Sequence, residues 1–162
     1  MQKVPSNNLE KVVVNTGVGR LSTQPNFEDK VLPEIVREFA LITGQKPARQ
    51  AARQSIAGFK LRSGTVVGLK ATLRGKRMNQ FLERLNKVAL PRVRDFRGIS
   101  LKNIDEGGNL TIGIKEHIIF PEISPETSRY DFGLQISLIP KEKGRDKAIG
   151  LYKQLGIPLE KK

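Results

Sequence analysis

The sequence predicts an α+β domain, a mainly antiparallel sheet with helices packed on one face and a basic face on the other. Three observations lead there. The 162 residues are 38% hydrophobic, enough for one core and too short a chain for a second full domain, so residues 1–162 are read as a single domain. Strand-like and helix-like periods follow one another without the regular βαβ alternation that builds parallel sheets. The positive charge is confined to one stretch of the chain, where it is interleaved with apolar residues rather than gathered in a tail.

Each element has its own signal. Leu9 to Asn15 is short and β-branched, and Gly17 and Gly19 follow it, so it reads as a strand entering a turn. From Asp29 to Thr43 the residues Val31, Leu32, Ile35, Val36 and Phe39 recur at helical spacing, with Gly44 as the stop. Pro33 is harmless there if Asp29 caps the helix, and otherwise should kink it. Residues 46–54 are a weak strand, and Gly58 supplies turn chemistry within Ser55–Lys60. Thr65 to Arg74 alternates clearly, with Val67, Leu69, Ala71 and Leu73 on one face and Lys70, Thr72 and Arg74 on the other. Lys76 to Ala89 is the strongest helix, with Met78, Phe81, Leu82, Leu85 and Val88 on one side and Pro91 at its end. A basic loop, Arg92 to Gly98, precedes alternating strands at Leu110–Ile114 and Phe132–Leu138, and a helix from Asp146 closes at Gly156 and Pro158.

The chain holds 29 Lys+Arg against 16 Asp+Glu, a net charge of +13. Residues 1–44 and 103–162 are each neutral. The segment 45–102 carries fifteen Lys/Arg against only Glu83 and Asp95, which is the whole excess. With so few carboxylates to pair with, those cations face water or an external polyanion, and nucleic acid is the commonest polyanion that fits. A membrane surface fits poorly, because no helix joins a Lys/Arg face to a large leucine or aromatic face, and no stretch is long and apolar enough to span a bilayer.

Other chemistry finds little support. The absence of cysteine removes disulfides, thiolate metal sites and cysteine nucleophiles together. Gly68 and Gly75 are separated by six residues where a phosphate-cradling loop needs four, and Arg77 stands where that loop needs Ser or Thr. Gly17 and Gly19 lack the third glycine of a dinucleotide fingerprint. His117 is the only histidine, has no partners for a metal site, and is read as a structural or surface residue; Glu116 and Glu122 beside it lie in the neutral flank. No enzyme, metal or cofactor is expected. Helix-turn-helix, zinc-finger and stacking-sheet signatures are also missing, so the expected readout is of RNA shape and phosphate. Lys70, Thr72 and Arg74 would present an ammonium, a hydroxyl and a guanidinium at intervals of about 6.6–7 Å along one strand.

Six segments carry a family resemblance: Lys11-Val-Val-Val-Asn-Thr-Gly-Val-Gly19, Ile42-Thr-Gly-Gln-Lys-Pro47, Ser55-Ile-Ala-Gly-Phe-Lys-Leu-Arg62, Val67-Gly-Leu-Lys-Ala-Thr-Leu-Arg-Gly75, Ala89-Leu-Pro-Arg-Val-Arg-Asp-Phe-Arg-Gly98 and Gly113-Ile-Lys-Glu-His-Ile-Ile-Phe-Pro-Glu122. In this order they resemble the bacterial-type large-subunit ribosomal protein five, the family that binds 5S ribosomal RNA. The resemblance implies a non-enzymatic constituent of the large subunit's central protuberance, in the cytoplasm or in an organellar ribosome. It implies 5S RNA contacts at Asn15, Gln45, Thr72 and Arg74. Lys46, Lys70, Arg92, Arg94 and Arg97 are further candidates for ribosomal RNA by charge and position. It also implies a loop reaching the elbow of the peptidyl-site transfer RNA, with Arg53, Ser55, Ile56, Ala57, Gly58, Phe59, Lys60 and Arg62 as its contacts. Family partners further include 23S ribosomal RNA, neighbouring large-subunit proteins and a small-subunit head protein across an intersubunit bridge. Members usually carry an N-terminal helix before the Val4-Pro5 position, where this sequence begins, so that helix is expected to be missing. The competing expectation is a general nucleic-acid chaperone or architectural protein outside the ribosome.

Overall fold

The computed structural model describes residues 8–161, so the segment around Val4-Pro5 lies outside the described residues. Five strands form one sheet in the order β2-β3-β1-β5-β4, where β1 is Leu9–Gly17, β2 Ala48–Ala51, β3 Val66–Leu73, β4 Leu110–Ile114 and β5 Leu134–Pro140. Every pairing is antiparallel. The β-branched run Val12-Val13-Val14 puts β1 at the centre, paired to β3 through Val12↔Leu73 and Val14↔Ala71 and to β5 through Val12↔Leu138 and Val14↔Ile136. That register gathers the apolar alternates of all four long strands on one face, where Val12, Val14, Leu69, Ala71, Leu73, Leu110, Ile112, Leu134, Ile136 and Leu138 are buried.

Three α-helices cover that face among the described residues: α1 (Leu32–Thr43), α2 (Gly75–Arg84) and α3 (Arg145–Gln154). α1 packs on β3, and α2 on β1 and α1. Phe39 and Phe81 are fully buried, and Phe81 stacks on Phe120 at 6.0 Å between ring centres. Removing each such ring from water is worth about 1.5–3 kcal/mol.

Pro33 is accommodated by a device other than an Asp29 cap. Phe27–Val31 forms a wide π turn in which the Leu32 N–H reaches the Phe27 carbonyl; Asp29 lies inside this turn, and no side chain caps it. α1 then begins at Leu32 with Pro33 in its first turn. A proline ring collides with the carbonyl four residues back in a regular helix, and widening the turn ahead of it removes the collision. The same arrangement precedes Pro91: Leu85–Ala89 is a π turn closed by the Leu90 N–H on the Leu85 carbonyl, followed by a 3-10 turn at Leu90–Arg92. The helix expected over 76–89 is therefore α2 extended by two irregular turns. β5 starts two residues later than the alternation predicts, because Phe132 stacks on the His117 ring at 3.9 Å instead of entering the ladder.

Candidate nucleic-acid interface

Among the described residues, the face of the sheet opposite the helices carries no second layer. Asn15, Lys70, Thr72, Gln135, Ser137, Thr111, Gln50 and Gly113 lie there, half-buried or exposed, and only Val13 among their neighbours is buried. Asn15 pairs directly with Lys70 on one side and Gln135 on the other. Thr72 sits opposite Val13, and Val13 opposite Ser137. Three of the expected contacts, Asn15, Lys70 and Thr72, thus form one contiguous patch. Arg74 leaves the end of β3 exposed, as the residue before α2. The face is richer in amides and hydroxyls than in charge, with Lys70 and Lys11 the only cations that its strands place on it.

Gln45 occupies the corner of this patch. Its Nε2 donates to the Thr72 carbonyl at 3.1 Å, and its Oε1 accepts from Arg77 Nη1 at 3.2 Å. β2 pairs with β3 only from Val66 to Lys70, so the side chain of Gln45 takes over beyond the end of the edge strand. Lys46 is exposed beside it, while Pro47 is buried and pins the entry to β2.

The loop between β2 and β3 is a folded hairpin extension. Ile56 and Leu61 pair across it, Ser63 N–H donates to Ser55 Oγ at 2.8 Å, and Ala57–Phe59 makes a 3-10 turn at the tip, ended by Lys60 in the left-handed region at φ 52°. Arg53, Ser55, Ile56, Ala57, Gly58, Phe59, Lys60 and Arg62 are all exposed. Phe59 is 74% and Ile56 43% exposed, so the tip presents apolar surface between cations. Ile56, Phe59 and Leu61, together with Gly19, Arg20 and Thr23, line a groove of about 770 Å³.

Arg92, Arg94 and Arg97 stand on a different element. All three are exposed, while Val93 and Phe96 between them pack against the core. Asp95 adopts φ 54° to turn the chain. Behind the turn the C-terminal segment runs parallel to it: the Ile99 N–H donates to the Pro158 carbonyl at 2.8 Å, and the Glu160 N–H to the Ile99 carbonyl at 2.9 Å. Gly98 makes this approach possible. Its φ is +114°, and a Cβ there would stand 2.9 Å from the Glu160 nitrogen.

His117 is fully buried, so it is a structural residue and not a surface one. Its Nε2 lies 2.8 Å from Glu38 Oε2 and 3.0 Å from Ser128 Oγ, and Ser128 Oγ donates to the same carboxylate oxygen at 3.1 Å. The Phe132 N–H approaches Nδ1 at 3.5 Å, which leaves the ring proton on Nε2, pointing at Glu38. The cluster ties α1 to the segment before β5. Glu116 and Glu122 take no part, and Glu122 pairs with Arg84 instead. No group of three or more His, Cys, Asp or Glu among the described residues could hold a metal ion, and none of their helices is long and apolar enough to cross a membrane.

Comparison with known proteins turns the arrangement into an assignment. Residues 66–159 match the ribosomal L5P family C-terminus, and residues 3–62 match ribosomal protein L5. The chain belongs to the ribosomal protein L5 family. Among its relatives, a large ribosomal subunit protein uL5 of Halothermothrix orenii is 45% identical over 93% of this chain and 82% of its own length. The uL5 protein of Oenococcus oeni is 48% identical over 94% of this chain and 83% of its own length. The two family regions divide the structure between the hairpin tip and β3, so both contribute to the open face: Asn15 and Gln45 from one, Lys70, Thr72 and Arg74 from the other.

Sequence reasoning did not place Gln135 and Ser137 on the open face beside Asn15 and Val13. Their signal was present in the polar positions of the last alternating strand. What was missing was the strand order, which alone shows that β5 lies beside β1. Phe59 was expected in the transfer-RNA loop, but nothing in the sequence marks it as the most exposed large apolar side chain among the described residues.

Proposed function

We propose that this protein is a structural constituent of the large ribosomal subunit that binds 5S ribosomal RNA on the open face of its sheet. The observation that carries the reading is the contiguous patch of Asn15, Lys70 and Thr72 on a sheet face without a second layer among the described residues, in a chain of the ribosomal protein L5 family. A comb of hydroxyl, amide and ammonium groups suits the 2′-hydroxyls and phosphates of folded RNA better than stacked bases, for which the face offers no aromatic ring. The exposed hairpin tip, with Phe59 between Arg53, Lys60 and Arg62, is the part that would reach the elbow of the peptidyl-site transfer RNA. Arg92, Arg94 and Arg97 supply a second phosphate-binding element, for ribosomal RNA beyond the sheet contact. Membership of the family supports partnership with 23S ribosomal RNA and with a small-subunit head protein.

Binding of a 5S ribosomal RNA transcript tests the reading. If six phosphates are neutralised, affinity falls about a thousandfold between 50 and 200 mM salt. Lys70→Ala with Arg74→Ala should lower the log–log salt slope by about 0.9 for each lost phosphate contact, with an unchanged circular-dichroism spectrum. Equal affinity for an unrelated duplex RNA at matched salt would make the protein a general nucleic-acid binder instead.

A further inference from the structure

The groove beside the hairpin tip has a chemistry that RNA contact does not use. Ile56, Phe59, Leu61 and Val67 give it an apolar lining, and Arg20 and Arg53 line it with them. Both arginines are exposed, and neither pairs with a carboxylate among the described residues. Residues 11–27 and 45–82, which supply the whole lining, contain no Asp or Glu.

Backbone bonds fix each of the two segments that form the groove. In the hairpin, the Ile56 N–H donates to the Leu61 carbonyl at 2.9 Å, and the Leu61 N–H to the Ile56 carbonyl at 3.1 Å. The turn after β1 is tied to β3 where the Val18 N–H donates to the Val67 carbonyl at 2.8 Å, and it closes on itself where the Leu21 N–H reaches the Val18 carbonyl at 3.0 Å. A ligand therefore finds the site already formed and spends little on ordering it. The volume of about 770 Å³ lies in the range of pockets that enclose several side chains.

Three of the four apolar side chains are aliphatic. Nucleic acid meets proteins through phosphates, ribose hydroxyls and bases that stack on flat rings, and Ile56, Leu61 and Val67 serve none of these. Aliphatic side chains of another protein fill such a surface, and apolar patches left open within a polar rim mark protein contact sites. Phe and Arg are also among the residues enriched at such interfaces. We infer that the groove docks a short acidic segment of another protein, one that carries at least two bulky apolar side chains. Those side chains pack against Ile56, Phe59 and Leu61, while neighbouring Asp or Glu side chains pair with Arg20 and Arg53, whose planar forks match a carboxylate. Lys60 and Arg62, exposed on the same hairpin, extend the charge match. Phe59 is shared with the transfer-RNA contact proposed above, so the two ligands exclude each other and the acidic segment is a partner of the chain off the ribosome.

The test selects random dodecapeptides displayed on phage against the full chain, then measures the enriched peptides by anisotropy as labelled synthetic probes. The expected sequences combine two or more of Leu, Ile, Phe and Trp with Asp or Glu. Ile56→Ser with Phe59→Ser should weaken their binding at least tenfold at an unchanged melting temperature, because both side chains are exposed. Arg20→Ala with Arg53→Ala should weaken it too and flatten its salt dependence. Enrichment of no peptide, or of acidic peptides without apolar residues, would overturn the inference. So would an affinity that survives both double variants. A transfer RNA transcript that binds the Ile56→Ser, Phe59→Ser variant less well, while the peptides keep their affinity, would make the groove an RNA seat and overturn it as well. No arm uses 5S ribosomal RNA, so failure here leaves the reading of the sheet face standing.

Discussion

Tyr152 shows how much one side chain can hold. Its hydroxyl is buried between two backbone carbonyls, 2.6 Å from Gly108 O just before β4 and 3.1 Å from Leu138 O within β5, and so ties α3 to the β4–β5 pair. Burial pushes its ionisation well above the usual tyrosine range, with the nearby Asp105 charge adding to the shift and a backbone hydrogen bond at Leu110 opposing it. The unfolded chain therefore loses this proton near pH 10 while the folded chain keeps it. Stability from this group is complete below pH 10 and falls above it by about 1.4 kcal/mol per pH unit. Tyr152→Phe should cost about 1 kcal/mol at neutral pH through the lost hydrogen bond. Urea titrations at pH 9 and 11 should show the gap between wild type and variant shrinking at the higher pH. A gap that stays constant would mean the phenol is not held protonated by the fold. The helical spacing of Ala148, Ile149, Tyr152 and Leu155 revealed the inward face of α3, but no pattern could reveal carbonyl partners 14 and 44 residues away. The same holds for His117: its rarity argued for structure over catalysis, while its partner Glu38 is 79 residues distant and sits in a helix where one buried carboxylate breaks the apolar pattern.

At the scale of elements, what was legible was whatever leaves a period. β3 and β4 alternate, so their inward and outward residues were readable, and Thr72 and Lys70 emerged on the polar face without any structure. The π turns before Pro33 and Pro91 were not readable, because they answer a steric conflict of the proline ring and add no hydrophobic period. Nor was the pairing of the arginine turn with the C-terminal segment, which depends on Gly98 and on two backbone hydrogen bonds. That pairing can be cut selectively. Gly98→Ala places a methyl group against the Glu160 backbone and forces a non-glycine residue to φ +114°, which costs about 1–3 kcal/mol. Hydrogen exchange at the Ile99 and Glu160 amides should accelerate at least tenfold, while amides in β1 and β5 keep their protection. Equal acceleration throughout would show that the turn and the C-terminal segment unfold only with the whole domain.

For the molecule as a whole, the charge distribution has two consequences of opposite sign. Of the fifteen Lys/Arg between residues 45 and 102, only Arg84 and Lys87 pair with a carboxylate among the described residues. The rest ride on the β2–β3 hairpin, the start of α2, and the arginine turn with the segment after it, where they repel one another in the free protein. Salt screens that repulsion, the Debye length falling from about 10 Å at 0.1 M to about 3 Å at 1 M. If the protein binds RNA as proposed, salt also weakens that binding by restoring competition from counterions. Sodium chloride should therefore raise the melting temperature of the free protein over the same range in which it abolishes the RNA complex. In the complex the phosphates themselves neutralise the repulsion, so RNA should stabilise the fold most at low salt, by mass action and by relief of like charge together. Thermal melts at 50, 200 and 500 mM sodium chloride, with and without a 5S transcript, measure both limbs. A free-protein melting temperature that falls with salt would mean that ion pairs within the fold outweigh the repulsion, and that the segregated charge carries no strain for RNA to relieve.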